Sequence, residues 1–151
     1  MTPTLFAAAT FACLAASPAA LAAEPMKPAA PLAAHHDSAR PLLIFTPRLN
    51  APETIEQRER LEAARPGLDE RDVAVYFIDE NDGEPERFSG PETPPLSKAD
   101  LRHHYDVDRG SFMVVLVGKD GGAKKRWITP VKPHQIFGQI DAMPMRASEL
   151  R

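Results

Sequence analysis

The chain has 151 residues, 43% hydrophobic and 26% charged, enough for one compact core. Its 18 Lys and Arg stand against 21 Asp and Glu, a formal net charge of -3 with both signs scattered, which removes the electrostatic case for nucleic acid or anionic lipid. A single cysteine, Cys13, leaves no partner for an internal disulfide.

Residues 1–23 are predicted to be a secretory signal peptide. Leu5 to Ala16 is an apolar, alanine-rich run, and Ala20-Leu21-Ala22-Ala23 is a small-residue cleavage site, although MTPTL carries no Lys or Arg. The run is too short for a membrane anchor, so a periplasmic or secreted protein is expected, with no membrane contact after cleavage. Cleavage near Ala23 also removes Cys13. The mature chain would then have no thiol, which excludes thiolate nucleophiles, C-x-x-C redox chemistry and cysteine-ligated zinc together.

Residues 24–40, EPMKPAAPLAAHHDSAR, lack both the strand and the helix period and read as a flexible lead-in. Its His35-His36-Asp37 has no spaced third ligand and reads as solvated linker. The domain is expected over 41–151. Leu42-Leu43-Ile44-Phe45 is a buried-strand pattern closed by Thr46-Pro47. A helix follows, capped by Asn50 with Glu53 and admitting Pro52 in its first turn; Ile55, Leu61, Ala64 and Leu68 would face the sheet. Glu56 with Arg60 and Arg58 with Glu62 are four-residue charge pairs on its solvated side. Asp72 to Asp79 is the second strand, apolar on both faces, and strand-helix-strand over this span predicts a parallel pair.

Asp79 to Glu86 reads as a mobile acidic loop, since it lacks the alternation of a calcium loop. Ser97 caps a second helix with Asp100 at its third position; Leu101 and Tyr105 form its apolar pair, and His103 and His104 sit in the last turn. Phe112 to Val117, the turn Gly118 to Gly122 and a return strand through Trp127 form a hairpin, with Lys124, Lys125 and Arg126 marking an edge. Pro130 and Pro133 introduce a final helix striped by Ile136, Phe137, Ile140 and Met143, which Pro144 ends.

This β-α-β-α-β-β-α order resembles the thioredoxin fold, so the expected class is α/β: a thioredoxin-like three-layer sandwich with a mixed four-stranded sheet. Gly118-Lys119-Asp120-Gly121-Gly122-x-Lys124 and Ile140-Asp141-x-Met143-Pro144-Met145-Arg146 resemble the domain-of-unknown-function family 4174. That resemblance implies a small exported bacterial protein, with a similar domain in animal extracellular proteins that carry sushi repeats, and supplies no catalytic residues. Where redox thioredoxins carry C-x-x-C, this chain has Thr46-Pro47-Arg48-Leu49-Asn50.

The leading functional expectation is a non-enzymatic binding or interaction module, with Thr46, Arg48, Lys124, Lys125 and Arg126 as contact surface, an unknown protein or small anionic ligand as partner, and no cofactor. Thr46 and Arg48 lie beside a helix N-terminus that could hold an anion, or Arg48 could simply cap a loop. The alternative is a thiol-independent, metal-dependent enzyme using His103 or His104 with Asp106 or Asp108. Neighbouring helical side chains diverge by about 100°, so the two histidines could not share one ion. Met143 to Arg146 could serve recognition or simply close the last helix.

Overall fold

The computed structural model describes residues 31–151. The predicted signal segment, Cys13 and lead-in residues 24–30 lie outside the described residues. Apolar runs such as Leu42 to Phe45 and Met113 to Val117 need burial on both faces, and one central sheet provides it. Its strands are β1 (Arg40–Phe45), β2 (Val73–Ile78), β3 (Glu86–Ser89), β4 (Met113–Val117) and β5 (Ala123–Trp127), in the order β3-β2-β1-β4-β5. β1 and β2 are parallel; β4 lies antiparallel to β1, β5 to β4 and β3 to β2.

The helices are α1 (Pro52–Ala63), α2 (Arg65–Glu70), α3 (Lys98–Tyr105), α4 (Pro133–Asp141) and α5 (Pro144–Glu149). Strand alternation divides the core into two layers. Leu42, Ile44, Phe77, Val114 and Leu116 pack with Leu61 and Leu68 of α1 and α2 and with Ile136 and Ile140 of α4. Leu43, Phe45, Ile78, Val115 and Val117 pack with Leu101 and Tyr105 of α3. Each fully buried Leu, Ile or Phe contributes about 1.5–3 kcal/mol of apolar burial. Among the described residues no helix is long and apolar enough to cross a membrane.

Five strands replace the expected four, because β3 occupies the end of the predicted acidic loop. Phe88 is its one apolar anchor, edge-on to Phe77 at 5.8 Å, with the guanidinium of Arg65 4.5 Å from the Phe88 ring centre. Gly90, at φ +100, ends the strand where a Cβ would come within 2.6 Å of the Ala74 Cβ.

The lead-in also needs correction over its described part. Leu32, His35 and Ala39 are buried, Ala33–His35 forms a 3-10 turn, and His35 Nε2 is 2.8 Å from the Tyr76 hydroxyl. Asp37 N–H donates to Lys119 O at 2.9 Å. Isolated side chains anchor this segment, so no period announced it.

The helices differ in detail as well. The residue before α1 is Ala51, without a side-chain cap, and the inward positions are Thr54, Gln57 and Leu61, while Ile55 is 46% exposed. Thr54 and Gln57 turn inward because both have partners there: Thr54 at the end of β1, and Gln57 through paired bonds with the Val131 backbone at 2.7 and 3.2 Å. α4 ends before Pro144 as expected, but Pro144 also opens a further helix, α5, since a proline that stops one helix fits the first turn of the next. Of the two surface pairs expected on α1, Glu56 and Arg60 meet, whereas Arg58 turns to Glu86 at 2.6 Å and Glu62 to Arg65 at 2.7 Å.

Candidate functional site

At the C-terminal end of β1 the chain turns into α1, and Thr46 stands at that corner fully buried. Its hydroxyl is 2.6 Å from that of Thr54, and both lie within reach of Arg48 O, at 2.9 and 3.1 Å. One hydroxyl therefore donates to the carbonyl and the other to its partner hydroxyl, while Arg48 N–H donates to Thr46 Oγ1 at 3.3 Å. From α3, Arg102 donates to Ile78 O at 3.2 Å and Thr46 O at 3.4 Å. Thr46 thus holds the corner together and offers no contact surface, a correction to its predicted role. Of the two residues predicted there, Arg48 alone is exposed.

The basic residues of β5 stand elsewhere. Phe45 pairs with Met113 at the corner end of the sheet, whereas Leu42 pairs with Leu116 and Leu116 with Lys125, so Lys124 and Lys125 lie toward the opposite end from Thr46. The five predicted contact residues do not form one surface. Lys124 is bound to Asp120 at 2.6 Å, and Arg126 donates to Tyr105 O on the α3 side. Among the described residues Lys125 makes no ion pair. It shares its face with Trp127, since their partners Leu116 and Val114 both belong to the α4-side core. Between that face and α4 lies an open groove of about 650 Å³, lined by Lys125, Trp127, Ile128, Gln135, Gly138 and Gln139. Ile128 is 75% exposed, and nothing approaches the open side of Gly138.

At the N-terminal end of β1 the two distinctive sequence words meet. Lys119, from the Gly118 to Gly122 turn, donates to Glu149 at 2.6 Å and to Asp72 at 3.0 Å. Arg40, 1% exposed, donates to Arg71 O at 2.9 Å and to Glu149 at 3.1 Å. Arg146 donates to the Glu70 carbonyl at 3.2 Å and carboxylate at 3.1 Å, and Arg71 makes a two-point contact with Asp141, both bonds at 3.0 Å. The Lys119 ammonium, with Arg40 behind it, holds the Glu149 carboxyl down at about 2 against the opposing effect of burial. A cavity of about 380 Å³ opens beside this cluster, lined by Arg40, Lys119, Lys124, Gln139, Met143 and Met145. Arg146 is thus buried and held by contacts inside the domain, and Arg40 and Glu149 are residues that sequence reasoning passed over.

His103 and His104 are exposed on the last turn of α3, and Asp106 ends that helix in the left-handed conformation at φ 53. Among the described residues no three His, Cys, Asp or Glu side chains converge as a metal site would require. In the acidic loop, burial alone would raise the Asp79 carboxyl, but its bonds to Lys98 and Asn81 override this and keep it below its usual value.

Comparison with known proteins gives three findings. The family model described as "Domain of unknown function (DUF4174)" matches residues 31–149. The human Sushi repeat-containing protein SRPX is 30% identical over 116 residues, which are 76% of this chain and 25% of that protein. This chain thus spans about a quarter of the length of the curated relatives it matches. Among solved structures, thioredoxin peroxidase I of Plasmodium yoelii superposes with a TM-score of 0.56 at 16% identity, covering 78% of this chain and 79% of that one. The reduced 2-Cys peroxiredoxin of Plasmodium vivax gives 0.56 at 17% identity, covering 80% and 85%. At such identities the likeness shows the fold alone, and that fold is thioredoxin-like.

Proposed function

The chain belongs to the family described as domain of unknown function DUF4174, and from that premise we propose that it is an exported, non-enzymatic interaction module that meets a protein partner through the β5 edge. Support comes first from the edge itself: Lys125 without a counter-ion among the described residues, Trp127 and the exposed Ile128, arranged along an open groove. The corner where redox relatives of this fold keep their cysteines adds to it. Its threonine hydroxyls are consumed by each other and by Arg48 O, and residues 31–151 contain no cysteine. The module would act in the periplasm or outside the cell after loss of residues 1–23.

The test is affinity capture from an extract of exported proteins with immobilised residues 24–151, washed at two salt concentrations beside K125E and R48A versions. A saturable partner retained by R48A and lost by K125E is expected. Retention by both variants would remove this surface from consideration, and loss only in R48A would move it to the corner. The same protein should be inert in insulin-reduction and peroxide assays; activity in either would overturn the non-enzymatic assignment.

A further inference from the structure

β5 is the outermost strand of the sheet beside β4, so alternate N–H and C=O groups along it point away from the sheet. Among the described residues no backbone or side-chain group bonds them. Such an edge is a ready template for another extended chain, and proteins ordinarily blunt it with charge. Lys124 and Arg126 fit that blunting role, because each is tied back to its own domain, by Asp120 and by Tyr105 O. Lys125 and Trp127 do not. They stand two positions apart on one face, beside a groove that α4 leaves open at Gly138.

Resting on the interaction role proposed above, we infer that β5 accepts an extended acidic segment of the partner protein as a sixth strand, bearing a carboxylate beside Lys125 and an apolar residue two positions away beside Trp127. Added strands gain affinity from main-chain hydrogen bonds and specificity from alternate side chains, and directly opposed unlike charges and apolar pairs are the favourable cross-strand contacts. A second copy of this chain fits poorly. Antiparallel pairing of two β5 strands about Lys125 sets Lys125 against Lys125 and Lys124 against Arg126, like charges at the three central positions. The side chains on the groove face would lie between Trp127 and α4, where Ile128 already presents uncovered apolar surface.

Trp127 is the sole tryptophan of the chain, so its emission reports on this strand directly. The probe is a heptapeptide with threonine at odd positions, glutamate at two and four and valine at six, titrated into residues 24–151 at low salt. Two further versions carry N-methyl groups on one or the other alternate set of backbone nitrogens. Strand addition predicts a saturable change in Trp127 emission, weakened about tenfold or more by one methylated set and little by the other, since only one set faces β5. K125E should weaken binding by a similar factor, and K125R should keep it within about threefold. Equal binding of both methylated peptides would mean attraction by charge alone; that sinks strand addition and leaves the interaction surface standing. No saturable response, or a dimer of the free chain in sedimentation that K125E dissolves, would also overturn the inference.

Discussion

The two ends of β1 solve the same problem, burying polar groups at the rim of a sheet, by opposite means. At the C-terminal end neutral hydroxyls satisfy one another within eight residues of sequence, Thr46 to Thr54, with Arg48 O between them, and the one guanidinium that joins them, Arg102 of α3, bonds backbone carbonyls and makes no ion pair among the described residues. At the N-terminal end full charges do it, and Arg40 reaches Glu149 across 109 positions. A short-range neutral knot is built when its own turn forms. The long-range charged cluster exists only when β1, the hairpin and α5 have all arrived, so it ties local order to global order and depends on pH.

Removing Arg40 should break the comparison open most. Arg40→Ala leaves Arg71 O without its donor and strips Glu149 of one of three cations, Lys119 and Arg146 being the others, and about 3 kcal/mol of stability should go in urea unfolding. A loss no larger than that of a corner hydroxyl would erase the contrast between the ends. Glu149→Gln comes next, at about 2 kcal/mol near neutral pH. Because the folded carboxyl is held at about 2 against an ordinary 4.5, its stabilisation is complete above the ordinary value and fades as pH falls toward the folded one. The gap between wild type and E149Q should therefore close over that window, and a constant gap would mean that charge is not what Glu149 supplies.

Thr46→Val should cost about 1 kcal/mol and leave the acid profile unchanged, since a hydroxyl does not titrate there. Glu56→Ala provides the baseline for an exposed pair on α1 and should cost no more than about 0.5 kcal/mol.

The apolar runs of β1 and β4 and the Ser97 cap, which accepts from Asp100 N–H at 3.2 Å, were legible because each is a local pattern with a local cause. β3 was not, since one phenylalanine among charges shows no alternation until Phe77 and Arg65 meet it. Pro144 carried two compatible meanings, stop and start, and only the packing of α5 separates them. Arg40 reads in sequence as the last residue of the lead-in; its burial is imposed by Glu149 and Arg71 O, which nothing near it in sequence announces. Of the predicted contact residues, Lys125 kept its exposure because an edge strand is exposed by topology, and Thr46 lost it because a corner is filled by whatever follows the strand.

The Arg40–Glu149 link at 3.1 Å also has a mechanical meaning. The first residue of β1 and the last of α5 are clamped side by side, so the start of the central strand and the end of the last helix share one pole, and a force that pulls them apart must break that clamp and the Lys119–Glu149 bond before it strips β1 from the sheet. A unit fastened in this way can be carried inside a longer polypeptide, like a bead threaded through a single loop, with little need for its neighbours to move apart.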